Sequence, residues 1–414
     1  MLSFALILLV LSSLLALGWL YQAVAALRGM PSLPDLTLLN SSPLEPSSTP
    51  HLTVIVPACN EAQSIAACLN SLLQSTGIAL EILAVNDRST DATAAEMRSV
   101  LALAATTPHT LRILTVESLP ENWLGKPHAM ALAASQASAP WLLFTDGDVL
   151  FDPTALARAL SHARQNSTDH LVLIPTLLVE RFTERALQAA LQVMAQWSVR
   201  LWRVRDPRAK DFIGVGGFNL IRREAYLAVG GYQALRMEVL DDMRMGWALK
   251  RAGFRAEVVL GPQLVRIRWI VGARSVIHLV EKNGFATFRF QPIVHLLASL
   301  GFLLHAVVPP AAFLLALLLE LTLPLSASLP HQQTLAVALF ASSIATYLFL
   351  FVTYWANRRL TLASTWLVLF FGPCTLLVFY AFLRSMVLAL ARGGIVWRGT
   401  RYSLAELRLH AGKW

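Results

Sequence analysis

Hydrophobic and polar positions follow two different rhythms along this chain. At the ends they barely alternate. Leu2–Ala26 is an almost uncharged apolar stretch, and three further apolar blocks follow late, at Pro292–Leu325, Thr334–Trp355 and Leu360–Leu390. About 20 apolar residues suffice to cross a bilayer, so each block is long enough. Between the ends, short apolar runs alternate with amphipathic segments. Leu52–Val56, Glu81–Asn86, Leu111–Val116 and Trp141–Phe144 read as strands, with helices near Ala62–Gln74, Asp91–Leu103 and Lys126–Ala137. Strands alternating with helices predict right-handed βαβ units and a parallel sheet. Beyond Asp148 the order loosens into a long helix near Glu184–Val204, a glycine-rich patch at Gly214–Gly217 and a helix near Asp241–Ala252. There is no internal repeat and no low-complexity tract.

These rhythms divide the chain. Residues 1–27 form an N-terminal transmembrane anchor, and 28–50, where Pro31–Pro50 is rich in Pro and Ser, form a linker. Residues 51–290 form one α/β domain, 291–391 a C-terminal membrane region of three spans, and 392–414 a basic tail. The first segment also admits a cleaved signal peptide, with Ala23-Val24-Ala25-Ala26 as a processing site. An uncleaved anchor is favoured, because the segment lacks a basic start and its apolar core exceeds the usual span of about 7–15 residues. Three full late spans would put the basic tail opposite the central domain, against the positive-inside tendency. A re-entrant hairpin at Pro309-Pro310 would return it to the domain's side, and that arrangement is preferred.

Composition supports a membrane protein. Of 414 residues 56% are hydrophobic and 14% charged, with mean hydropathy +0.55; soluble proteins carry about 25% charged residues. The net charge of +9 would suit a nucleic-acid binder. However, many basic residues flank the apolar blocks (Arg289, Arg358, Arg359, Arg392, Arg398, Arg401), as in loops facing anionic lipid. No basic stripe interleaved with aromatics occurs, so nucleic acid is excluded as a partner, and no obligate protein partner is evident. Cys59, Cys68 and Cys374 form no even framework and no metal-ligand pair, which fits a reducing compartment.

Candidate chemistry gathers where strands end. The run Trp141–Phe144 stops at Thr145-Asp146-Gly147-Asp148, which presents two carboxylates at the edge where open α/β sheets bind ligands. Two readings are open. The residues form a turn, or they hold a hard divalent cation, which takes one or two carboxylates plus substrate phosphates. The first strand ends in Pro57-Ala58-Cys59-Asn60-Glu61 and the second in Asn86-Asp87-Arg88-Ser89-Thr90-Asp91. Singly, Asn60 and Asp91 serve as well as helix caps. Three successive polar strand ends favour a site. Asp241-Asp242, before Met243–Ala252, suits a helix N-terminus and is compatible with catalysis as well.

The order Val56-Pro57-x-x-Asn60-Glu61, Asn86-Asp87-x-Ser89-x-Asp91, Asp146-x-Asp148 and Leu240-Asp241-Asp242 resembles the family 2 glycosyltransferases of the GT-A fold, over about Leu52 to Trp269. The resemblance implies a Rossmann-like nucleotide-sugar-binding domain flanked by transmembrane helices. It implies a nucleotide-sugar donor, usually a UDP-sugar, with Asp87 on the uracil and Pro57, Asn60 and Glu61 near the nucleoside. Asp146 would lie near the donor and Asp148 would hold Mg²⁺ or Mn²⁺ on the diphosphate, with Asp146 as a second candidate ligand. Asp242 would be the general base, Asp241 standing where the family usually has glutamate. Lys126, in a Gly-Lys that recurs in the family, would approach the diphosphate; as a residue alone it suits a solvated helix start.

Further matches narrow the subfamily. Gly216-Gly217-Phe218-Asn219 resembles the acceptor-side segment of these enzymes. Arg266-Ile267-Arg268-Trp269 stands where processive synthases and ceramide glucosyltransferases carry Gln- or Arg-x-x-Arg-Trp. Arg268 and Trp269 match, while the leading position is Val265, a departure from the processive pattern. Trp397-Arg398-Gly399-Thr400-Arg401-Tyr402 and Glu281-Lys282-Asn283-Gly284-Phe285 resemble segments of ceramide glucosyltransferases and of hopanoid- or carotenoid-associated glycosyltransferases. Arg398 and Arg401 would bind either the donor diphosphate or lipid headgroups. Together these imply an inverting transfer of one sugar to a membrane-lipid hydroxyl, by an integral protein of the bacterial inner membrane with its catalytic domain in the cytoplasm. The rival functions are a processive polysaccharide synthase and a non-catalytic transporter or scaffold that kept a sugar-binding domain.

Overall fold

The computed structural model describes residues 2–39, 44–45, 49–322, 330–397 and 400–410. They form two compact units interleaved along the chain. One comprises Met1–Ser32, Val179–Ser198 and Ile270–Arg392; the other comprises Leu33–Leu178, Val199–Trp269 and Gly393–Trp414.

The second unit is built on a seven-stranded sheet. Strands β1 (Leu52–Ala58), β2 (Leu80–Asp87), β3 (Thr110–Val116) and β4 (Trp141–Phe144) lie in the spatial order β3-β2-β1-β4, all parallel. Strands β1, β2 and β4 are near-continuous apolar runs because helices cover both faces of a parallel sheet. The crossovers are α2 (Ile65–Leu73), then α3 (Thr93–Ser99) with α4 (Leu101–Ala104), then α5 (Gly125–Ser135). Where one helix over Asp91–Leu103 is predicted, the chain breaks at Val100.

After β4 the sheet becomes mixed. A three-stranded sheet forms from β5 (Val149–Phe151), β7 (Thr176–Leu177) and β10 (Val265–Ile267), with β10 in the middle. Between β5 and β7 come α6 (Ala155–Gln165) and β6 (His170–Leu173). Later, β8 (Asn219–Arg222) inserts antiparallel between β4 and β6, and β9 (Ala256–Val259) closes the edge parallel to β6. The purely parallel sheet expected from the βαβ rhythm holds for its first four strands only. The short helix α8 (Arg223–Ala228) and α9 (Asp241–Arg251) follow β8, and a C-terminal hairpin of β11 (Gly394–Trp397) and β12 (Thr400–Ser403) completes the unit. Within the stretch expected to be linker, Asp35 bridges to Leu260 and the Leu36 N–H donates to the Leu260 carbonyl, so this segment is docked.

Among its described residues the first unit contains four helices long and apolar enough to cross a membrane: α1 (Leu2–Gly29), α11 (Pro292–Thr322), α12 (Pro330–Ala356) and α14 (Phe371–Ala391). It also holds α7 (Phe182–Ala195), α10 (Gly272–Thr287) and the short α13 (Arg358–Thr361). Pro309 and Pro310 lie inside α11, which runs on unbroken instead of turning back as a hairpin. The helix predicted to reach Val204 ends at Ala195. Beyond it the Arg200 N–H and guanidinium are captured by Asp211, which draws the chain off the helical path.

Candidate active site

The C-terminal ends of β1 and β2 are laced together by side chains. Asn60, in the left-handed region at φ 57°, accepts from the Thr90 N–H at 2.8 Å, while its own N–H donates to Ser89 Oγ. Asp91 accepts from the Thr93 N–H and hydroxyl and from the Ala62 N–H, so it caps α3 and holds the neighbouring loop. The Glu61 N–H donates to Thr93 Oγ1. Asn60 therefore fixes the shape of the edge, and Pro57 is buried within β1.

Asp87, at the end of β2, is buried, and Arg88 holds both its oxygens, Nε to Oδ1 at 2.7 Å and Nη2 to Oδ2 at 3.1 Å. Gly125 lies directly behind the pair. A Cβ there would come within 2.5 Å of both Asp87 Oδ2 and Arg88 Nη2. Tyr402 of β12 reaches the same place, its hydroxyl accepting from the Gly125 N–H, with burial the largest influence on its raised pKa. The C-terminal hairpin thus reaches the β2 edge.

Lys126 begins α5, and its Nζ meets Asp146 Oδ1 at 2.6 Å. Burial alone would lower the pKa of this ammonium, but Asp146, Asp241 and Asp242 together raise it. This cation thus pairs with the end of β4 and feels the charges at the start of α9. Burial, followed by the charges of Asp146 and Glu61, pushes the Asp148 carboxyl up to about 7. Burial, followed by Asp241, pushes Asp242 up to about 6. A carboxylate with that proton affinity suits general-base work near neutral pH.

Glycines bring these groups together. A Cβ on Gly216 would stand 2.6 Å from Asp146 Oδ2 and 3.2 Å from Lys126 Nζ. A Cβ on Gly214 would overlap the Asp242 carbonyl, and one on Gly246 would overlap the Ile213 carbonyl. Backbone thus presses on backbone where 213–214 crosses the first turns of α9, and only glycine permits that approach. Thr145 adds a tie, donating to the Gly217 carbonyl at 2.9 Å.

Other predicted residues lie differently. Phe218 is fully buried in the core near Phe151, so it supports the glycine segment from behind and does not face a ligand. Arg268 follows β10, and Trp269 is exposed. Arg401 is exposed on β12, while Arg398 lies outside the described residues. Arg88, Tyr402 and Gly214 had no assigned role in the sequence reading. Adjacency to Asp87 was the one signal available for Arg88.

Among the described residues no group of three or more His, Cys, Asp or Glu side chains is placed to hold a metal ion. The donor set at β4 nevertheless fits a divalent cation of the kind that completes its coordination with phosphates. Asp146 and Asp148 offer hard oxygens, and a cation would offset the burial and the neighbouring Asp146 and Glu61 charges that raise Asp148.

Residues 53–230 match the model for glycosyl transferase family 2. The 4,4'-diaponeurosporenoate glycosyltransferase of Staphylococcus aureus strain USA300 is 23% identical over 364 residues, covering 86% of this chain and 89% of that protein. The strain MRSA252 protein of the same name is likewise 23% identical, over 361 residues. Among solved structures, a mannosyltransferase from Pyrobaculum calidifontis in complex with GDP-Man and Mn²⁺ is similar with a TM-score of 0.49 and 20% identity, covering 88% of this chain and 99% of that one. The family match over residues 53–230 and the glycosyltransferase relatives support a family 2 glycosyltransferase domain in this chain. The chain is associated with a membrane through its long apolar helices.

Proposed function

We propose that this enzyme transfers one sugar from a nucleotide sugar, a UDP-sugar, to the hydroxyl of a membrane lipid, with inversion. The observation that carries this reading is the ion pair of Lys126 with the strand-end carboxylate Asp146 at 2.6 Å, made within the field of the Asp241 and Asp242 charges. Donor-side and acceptor-side chemistry then share one electrostatic cluster. Asp242 takes the proton from the acceptor hydroxyl, and burial, then Asp241, raise its affinity for that proton. One base and no separate nucleophile give inversion. Asp87, with Pro57, Asn60 and Glu61 around it, receives the uracil. Lys126, Arg268, Trp269, Arg398 and Arg401 serve the donor. Gly216 and Gly217 line the acceptor side, with Phe218 behind them.

Asp148, with Asp146, would hold Mg²⁺ or Mn²⁺, which supplies neutralisation of the charge growing on the leaving diphosphate. The lipid arrives through the membrane in which the apolar helices sit. Nucleotide sugars are cytoplasmic, which favours the inner membrane of a bacterium with the catalytic unit in the cytoplasm. Val265, at the leading position of the processive motif, favours single transfer over chain elongation.

The S. aureus relative is named for a carboxylate, 4,4'-diaponeurosporenoate. A carboxylate acceptor is already ionised and needs no base, whereas a hydroxyl needs Asp242. Donor turnover in detergent with Mg²⁺ or Mn²⁺ and a lipid extract, compared between wild type and Asp242→Asn, tests the reading. Loss of turnover in the variant supports a hydroxyl acceptor. Equal turnover removes the base assignment and favours an acid acceptor. No turnover with any donor favours a non-catalytic sugar-binding role.

A further inference from the structure

The chain passes between its two units after Ser32, Leu178, Ser198, Trp269 and Arg392. A folded α/β unit cannot be threaded through a bilayer, so all five passages lie on one face of it. α7, tethered to that unit at both ends, stays there. α1 arrives at this face, α11 leaves it and α12 returns to it. A fourth crossing by α14 would deliver Arg392 to the opposite face, yet the hairpin that follows folds into the α/β unit through Tyr402 and Gly125.

Packing within the first unit resolves the conflict. Phe371, the first residue of α14, meets Trp19 near the inner end of α1 and Tyr354 near the end of α12. From that level α14 does not run towards the far face. It runs back along the first half of α11, with Phe382 against Phe302 and against His295, whose ring bonds to the Phe382 carbonyl at 2.8 Å. Ser385 bonds to the Glu281 carbonyl of α10, and Glu281 pairs with Arg384 and Arg392. The far half of α11 has other partners: Ala312 and Ala316 cluster with Ala5 and Leu8 of α1 and Leu335 and Leu339 of α12. At 1.5 Å per residue α11 is about 46 Å long, well beyond a hydrocarbon core of about 30 Å.

We infer that α14 does not cross the membrane: it lies in the leaflet on the catalytic face with α10 and the first half of α11, so the chain crosses three times and both the hairpin and the C-terminus stay with the catalytic unit. Charge is distributed accordingly. No Lys or Arg occurs in residues 1–27 or 290–357, whereas Arg28, Arg358, Arg359, Arg392, Arg401 and Arg408 all fall on the catalytic face. Exposed Ile293, Leu297, Leu376 and Val387 then face the acyl chains of that single leaflet. The inference rests on connectivity and packing and is independent of the catalytic assignments.

Sided labelling tests it. In the full chain, single cysteines replace Lys210 on the catalytic unit, Gln333 at the start of α12 and exposed Leu409 at the C-terminus. The native cysteines are buried. Sealed vesicles of each orientation are treated with a membrane-impermeant maleimide. Leu409→Cys is expected to label in the same vesicles as Lys210→Cys, and Gln333→Cys in the opposite ones. Labelling of position 409 together with 333 overturns the inference, as does labelling of all three from one side. Arg408→Cys replaces Leu409→Cys if that variant fails to insert.

Discussion

On the proposed reading, Asp242 and Lys126 carry most of the chemistry at the scale of single residues. With its carboxyl pushed up to about 6, Asp242 is protonated below that pH and cannot accept a proton. kcat/KM is therefore expected to fall on the acid side of pH 6 and level off above it, and initial rates across pH 5–8 check this. The Asp242→Asn enzyme is expected to lose about 10²- to 10⁴-fold in turnover, with donor binding kept. The sign for stability is opposite. A carboxyl whose folded pKa is raised stabilises the fold most at low pH and loses that contribution as pH rises through about 6. Asp242→Asn should thus melt higher than wild type at pH 7.5, by no more than about 3 kcal/mol. Gly216→Ala places a methyl 2.6 Å from Asp146 Oδ2. It is expected to cost about 10- to 100-fold in turnover through misplacement, with circular dichroism unchanged. The carboxylates were legible in the sequence because each ends an apolar run. The pairing of Lys126 with Asp146 was not, since it needs the start of α5 to meet the end of β4.

At the scale of elements, the βαβ rhythm revealed β1 to β4 because buried parallel strands are written as uninterrupted apolar runs. It missed the antiparallel β8, whose place depends on β4 and β6 together and leaves no local mark. It also ran α7 on to Val204, because Asp211, which captures Arg200, is distant in sequence. The C-terminal hairpin was legible as a motif, though its docking was not. Tyr402→Phe removes one hydrogen bond at Gly125, worth about 1 kcal/mol. It should raise the dissociation constant for UDP several-fold with little change in kcat, as titration calorimetry and steady-state kinetics would show.

At the scale of the whole molecule, hydropathy located all four apolar helices, for apolar length is written directly in composition. It could not tell a helix that crosses from one that packs along a single leaflet, because both expose the same apolar surface. The Pro309-Pro310 pair suggested a hairpin, yet α11 is continuous. Membrane helices in the same chain as a transferase domain give the account its functional content, an acceptor that arrives through lipid. An acceptor presented in vesicles should be glycosylated far more efficiently than a water-soluble analogue bearing the same hydroxyl, measured by release of UDP.

The most direct test of that claim is mass spectrometry of lipids from a host expressing the enzyme, with an Asp242→Asn control. The account predicts a lipid heavier by one hexose-type residue, joined through a glycosidic acetal and not an ester, present with wild type and absent with the variant. A product bearing a sugar polymer, or the same glycolipid formed equally by the variant, would contradict it.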